Sequence, residues 1–138
     1  MTMTFDDVDA VATSLPGVTV GMQWRNRTWM VGGKGFAWHR PFSKADLKRF
    51  GDETPPEGQI LAVSVADLDD KEAMLQSGTA GVFTISHFNG YAAVLVQLRV
   101  VATPVLREAI VDAWLAVAPP ALADEYLARP RPRRGTRR

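Results

Sequence analysis

The chain has 138 residues, no cysteine, and a formal net charge of +1 from 16 basic and 15 acidic side chains. That length suits one domain with an ordinary core, and the lack of cysteine excludes disulfides, thiolate metal sites and thiol redox chemistry. The longest apolar runs, 60–66 and 91–96, fall well short of the roughly 20 residues of a membrane helix, and the opening MTMTFDDVD is acidic where a secretory signal is basic and then apolar, so a cytoplasmic protein without membrane contact is expected.

Thr4 can cap a first helix, with Asp7 at its third position and Phe5, Val8, Val11, Ala12 and Leu15 at helical spacing; Pro16-Gly17 stops it. Val18 to Trp24 and Thr28 to Val31 favour strands, and Gly32-Gly33-Lys34-Gly35 turns the chain into Phe36 to Arg40 with the lysine at its tip. This predicts a meander of short antiparallel strands. Ser43 caps a short helix through Phe50 that ends at Gly51, and GDETPPEG reads as an exposed loop. Ile60, Ala62, Val63 and Val65 form a strand; Asp67 then caps a helix bearing Leu68, Met74 and Leu75, closed by Gly78.

From Val82 to Val101 two apolar runs flank a polar turn holding His87, Asn89, Gly90 and Tyr91. Phe-Asn-Gly between such runs predicts a tight hairpin, because Asn and Gly tolerate positive φ, and Tyr91 is read as opening the far strand. Thr103-Pro104 starts a helix as cap and first residue, and Val105, Leu106, Ala109, Ile110, Ala113, Trp114 and Val117 give it one broad apolar face for the sheet. Pro119-Pro120 ends it, and Ala121 to Ala128 adds a short helix. The predicted order is α-β(3)-α-β-α-β(2)-α, an α+β fold with an antiparallel sheet packed by helices in two layers.

Charge is distributed unevenly. Arg129, Arg131, Arg133, Arg134, Arg137 and Arg138 crowd the last ten residues, and removing those six from the 16 basic groups leaves ten against all 15 acids, so residues 1–128 carry a formal −5. The expected division is a domain over 1–128 and a basic, disordered tail over 129–138. Such a tail attracts nucleic acid or other polyanions, or merely solubilises the chain.

No catalytic constellation emerges. His39 and His87 could meet if their strands pair, but two histidines without a third ligand make neither a metal site nor a triad. GGKG at 32–35 lacks the length and following Ser or Thr of a phosphate-binding loop. No cofactor and no metal are expected. Trp24 and Trp38 are flanked by Arg25, Arg27, His39 and Arg40, and basic residues interleaved with aromatics can hold phosphates and stack bases. Arg25, Arg27, Lys34 and Arg40 are therefore the candidate phosphate contacts of the body, and Arg129, Arg131, Arg133 and Arg134 those of the tail. His87, Asn89 and Tyr91 form the best polar cluster for a small ligand, which would need a concave pocket there.

The segments TFDDVDAVATSLPGV, Lys34-Gly35-Phe36-Ala37, FTISHFNGYAAVLVQL and DAWLAVAPPALADEYL resemble, in order and spacing, the MmcQ/YjbR family over Phe5 to about Leu127. Ser86 and Ala92 stand where members often carry proline, and the stretch from Pro41 to Gly58 is longer than in the shortest members. The resemblance implies an α+β fold likened to secretion chaperones and described as a double-wing DNA-binding motif. It implies a non-enzymatic binding module with DNA as partner, or alternatively a protein-interaction module, as monomer or homodimer, and no catalytic residues.

Overall fold

The structure, a computed structural model, describes residues 2–128. Met1 and residues 129–138 lie outside the described residues, and so do the contacts expected of Arg129, Arg131, Arg133 and Arg134.

Helix α1 (Phe5–Ala12) starts on Thr4, whose backbone N–H donates to Asp7 Oδ2 at 2.7 Å while the Asp7 N–H donates to the Thr4 hydroxyl at 3.4 Å. This reciprocal box satisfies amide donors that a helix start otherwise leaves to water. A meander follows, β1 (Val18–Gln23), β2 (Asn26–Val31) and β3 (Lys34–His39), then α2 (Lys44–Phe50), β4 (Ile60–Ser64) and α3 (Leu68–Gln76). Strand β5 (Val82–Phe83), a 3-10 turn at Ser86–Phe88, β6 (Ala93–Gln97), α4 (Thr103–Val117) and α5 (Pro120–Ala128) complete the order. Every pairing is antiparallel, in the spatial order β1-β2-β3-β4-β6-β5, so the expected α+β architecture is present.

The two central strands explain the core. Leu61 and Val63 of β4 and Val94 and Val96 of β6 join Trp29, Val31 and Phe36 on one face, against the apolar side of α4. Ile60, Ala62, Ala93 and Leu95 face the other way, where Trp38, Phe42, Phe50, Phe83, Ile85 and Phe88 build a smaller cluster. Burial on both faces is why these strands read as nearly unbroken apolar runs. The small cluster reaches β3 only at Trp38, leaving a hollow beside it on the same face of the meander. At the outer edge of the sheet, β1 carries no charged residue, and Val20 and Met22 are exposed. Among the described residues no helix is long and apolar enough to cross a membrane.

Three local expectations are corrected. The β5–β6 connection is not a tight Asn-Gly turn: it runs over 84–92, and Tyr91 precedes β6 instead of lying in it. Ile85 and Phe88, both buried in the small cluster, draw this chain inward and make a 3-10 turn cheaper than a longer ladder. Lys34 opens β3, because the turn before it consists of Gly32 and Gly33, with φ of 59° and 78°. Thr103 is the first helical residue of α4, not its cap; that position is Ala102, and the Thr103 hydroxyl points to Met3 Sδ at 3.5 Å.

Candidate functional site

The hollow on the meander encloses about 1040 Å³. Its rim is the β1–β2 turn. Pairing of Gln23 with Asn26 leaves Trp24 and Arg25 as the two central residues, with φ of 53° and 67°. Positive φ at both positions is the signature of the type I′ turn, for which Asn-Gly is the usual solution. Two bulky residues in that conformation carry roughly 1–2 kcal/mol of strain each. The Asn26 side-chain amide donates to the Trp24 carbonyl at 3.2 Å and braces the turn. Trp24 is left 93% exposed, with no ring partner among the described residues.

The floor is built from Thr28, Gly35 and Trp38. A β-carbon on Gly35 would come within 2.9 Å of the Thr28 methyl, so glycine keeps the floor open. The inner wall is aromatic: Tyr91 lies 6.4 Å from Trp38 between ring centroids and edge-on to Phe88 at 5.4 Å. The Arg40 guanidinium sits 5.6 Å above the Phe88 ring, within cation–π range.

Two buried polar groups hold that wall. Arg40 Nη1 donates to Asp46 Oδ2 at 2.8 Å and to the Pro41 carbonyl at 2.6 Å. The same Asp46 oxygen accepts from the Ser43 backbone N–H at 2.9 Å, while the Asp46 N–H donates to the Ser43 hydroxyl. Burial alone would raise the Asp46 pKa, but the Ser43 amide, the Arg40 guanidinium and the Ser43 hydroxyl together bring it below its ordinary value. On the other side, Lys71 of α3 is buried and donates through Nζ to the carbonyls of Phe88, at 2.5 Å, and Tyr91, at 2.7 Å. Burial lowers the Lys71 pKa. Its two bonds pin the backbone at the two wall aromatics.

The lining carries Lys34 and Arg40 and no carboxylate. Acidic groups gather elsewhere, in a hollow of about 510 Å³ that includes Asp70, Glu108 and Asp112. There burial, then Glu108 and Asp70, push the Asp112 carboxyl up. The excess of acids in the body is thus kept out of the lining of the aromatic hollow.

The fold brings Lys34, Arg40, His87 and Tyr91 into this one lining, and Arg25 stands beside it on the rim turn. Asn89 is outside the lining. Arg27 is not brought together with the other candidate phosphate contacts: it lies on the α1 face, 3.6 Å from Asp9 and 5.2 Å above the Trp29 ring. His39 and His87 are also separated. His39 shares the face of Leu61 and packs 4.6 Å from the Phe5 ring, where burial lowers its pKa, whereas His87 lines the hollow on the opposite face. Among the described residues no group of three or more His, Asp or Glu could hold a metal ion. Asp46, Lys71 and Phe88 were not singled out from the sequence. Lys71 was discoverable, since it precedes Met74 and Leu75 by three and four residues and so shares their inward face, while Leu68 is half-exposed.

The family model described as YjbR matches residues 13–116. Uncharacterized protein Rv2570 of Mycobacterium tuberculosis and Uncharacterized protein Mb2600 of Mycobacterium bovis are each 40% identical over 128 residues, covering 91% of this chain and 96% of the relative. No solved structure matches it significantly.

Proposed function

The chain belongs to the YjbR family, and from that premise we propose that it is a cytoplasmic, non-enzymatic binding protein whose ligand is a nucleic acid held at the aromatic hollow. One observation carries the reading: Trp24, Trp38 and Tyr91 share an open hollow with Lys34 and Arg40, and no carboxylate lines it. Aromatic faces and cations on one surface are what stacked bases and their phosphates require. His87 has no carboxylate beside it in that lining, which leaves a general base without an orienting partner and favours binding over catalysis. The domain over 1–128 supplies the shaped contact. Arg129, Arg131, Arg133 and Arg134 of the tail add attraction without sequence preference.

Titration of labelled single-stranded and duplex DNA with the full chain, and with a full-length variant carrying glutamine at those four tail positions, tests this. Both proteins are expected to bind, and the variant's log–log salt slope is shallower by up to about 3.6 on duplex, from about 0.9 per phosphate contact, and by up to about 2.8 on a single strand, from about 0.7. Binding by the unmodified chain alone would confine the affinity to the tail, and no binding by either would overturn the reading.

A second reading, self-association, is favoured by the uncharged β1 edge with Val20 43% and Met22 67% exposed. Strand edges normally avoid pairing by carrying charge. Light scattering across a concentration series should show a rising mass that Met22→Lys abolishes; a constant monomer mass in the unmodified chain would discard it.

A further inference from the structure

Resting on that nucleic-acid reading, we propose that the hollow takes an unpaired base with its adjoining phosphate, so that the ligand is single-stranded and not duplex. The argument begins at Trp24. Its backbone and that of Arg25 are both left-handed at φ of 53° and 67°, a conformation that glycine would adopt freely, and the indole is 93% exposed. The two-residue turn accounts for the backbone, but packing within the fold does not account for the indole, since no described side chain covers the ring. An unburied indole held by a rigid turn at the mouth of a hollow is a surface that a stacked ligand covers.

What can cover it follows from the rest of the lining. Trp38 stands on the floor and Tyr91 on the inner wall, so a planar ring entering the hollow meets aromatic surface inside it as well as at the rim. Between them, Gln23 and Asn26 donate through their amide nitrogens to Met30 Sδ and the Trp24 carbonyl, while their amide oxygens accept nothing from the described residues. Those oxygens can accept from the ring and exocyclic N–H groups of a base. Lys34, without an ion pair among the described residues, is the cation placed for the phosphate.

A duplex cannot use these groups. Its bases are already stacked on both faces, and it offers a protein phosphates and groove edges, so aromatic side chains recognise bases that are splayed out. Nor is the hollow equipped to hold a duplex by charge. Arg25, Lys34 and Arg40 are the cations at and beside it, Arg40 is committed to Asp46 at 2.8 Å, and residues 1–128 carry a net −5.

The test uses the full chain with a labelled oligothymidine strand and a labelled duplex of equal length, comparing the unmodified protein with Trp24→Ala and Trp24→Gly. Glycine suits the left-handed turn, so loss of binding in both variants is not loss of fold. The strand is expected to bind tighter than the duplex, and both substitutions to weaken strand binding roughly ten- to a hundredfold while leaving duplex binding unchanged. Equal or tighter duplex binding, or strand binding indifferent to Trp24, would overturn the single-strand proposal and leave the broader nucleic-acid reading standing. If neither ligand binds at low salt, both fall.

Discussion

Asp46→Ala is expected to lower the unfolding free energy by about 3–5 kcal/mol, the range for breaking a buried ion pair from one side. The Asp46 side chain is 1% exposed and that of Arg40 17%, so the abandoned guanidinium has little access to water. The same substitution removes the acceptor for the Ser43 amide, part of the α2 cap. Asp46→Asn keeps an oxygen for that amide but leaves the Arg40 charge unmatched, and should fall between the two. Because the folded carboxyl titrates below its ordinary 3.8, the pair's contribution is complete above that pH and is lost as pH falls through the lower folded value. Urea denaturation from neutral pH downward should therefore show the gap between unmodified protein and Asp46→Ala closing only below about pH 3.8. A gap under about 1 kcal/mol at neutral pH would mean that Arg40 relaxes into solvent.

Gly81→Ala should cost about 2–4 kcal/mol, combining left-handed strain with overpacking. Gly81 has φ of 88°, and a β-carbon there would lie 2.9 Å from the Val101 nitrogen and 3.0 Å from its α-carbon. Those are backbone atoms, fixed in turn by the bond from the Val101 N–H to the Gln97 carbonyl, and they cannot swing aside. Gly78 is the internal control: its φ is 68°, but nothing lies within 4 Å of the added carbon. Gly78→Ala should then show the strain alone, about 1 kcal/mol. Equal losses at the two positions in guanidinium melts would remove the steric part of the argument.

Both substitutions concern contacts invisible to a reading of local patterns. The Ser43 cap was legible as a helix start, yet nothing near it in the chain announces that Asp46 is buried against Arg40, because that contact needs the end of β3 and the start of α2 folded side by side. Lys71 shows the same limit. Its helical face is plain from its spacing to Met74 and Leu75, but the carbonyls it satisfies, at Phe88 and Tyr91, belong to a connection whose inward course depends on Ile85 and Phe88 finding the small cluster.

What the residues alone determined is the succession of elements and the chemistry available to them. Thr4, Ser43 and Asp67 cap three helices through bonds to neighbours three residues away, and the apolar period of α4 names its buried face; these are short-range effects that any chain expresses locally. The third dimension decided which side of the sheet each polar group serves. Pleating sends Arg27 to the α1 face beside Asp9 but Thr28 to the hollow, and it parts His39 from His87. A strand's side chains alternate by a fixed rule, but strand boundaries, the register shift at Trp29 and Met30, and the choice of Trp24-Arg25 as a turn set the phase of that alternation, and they are fixed only when the strands pair.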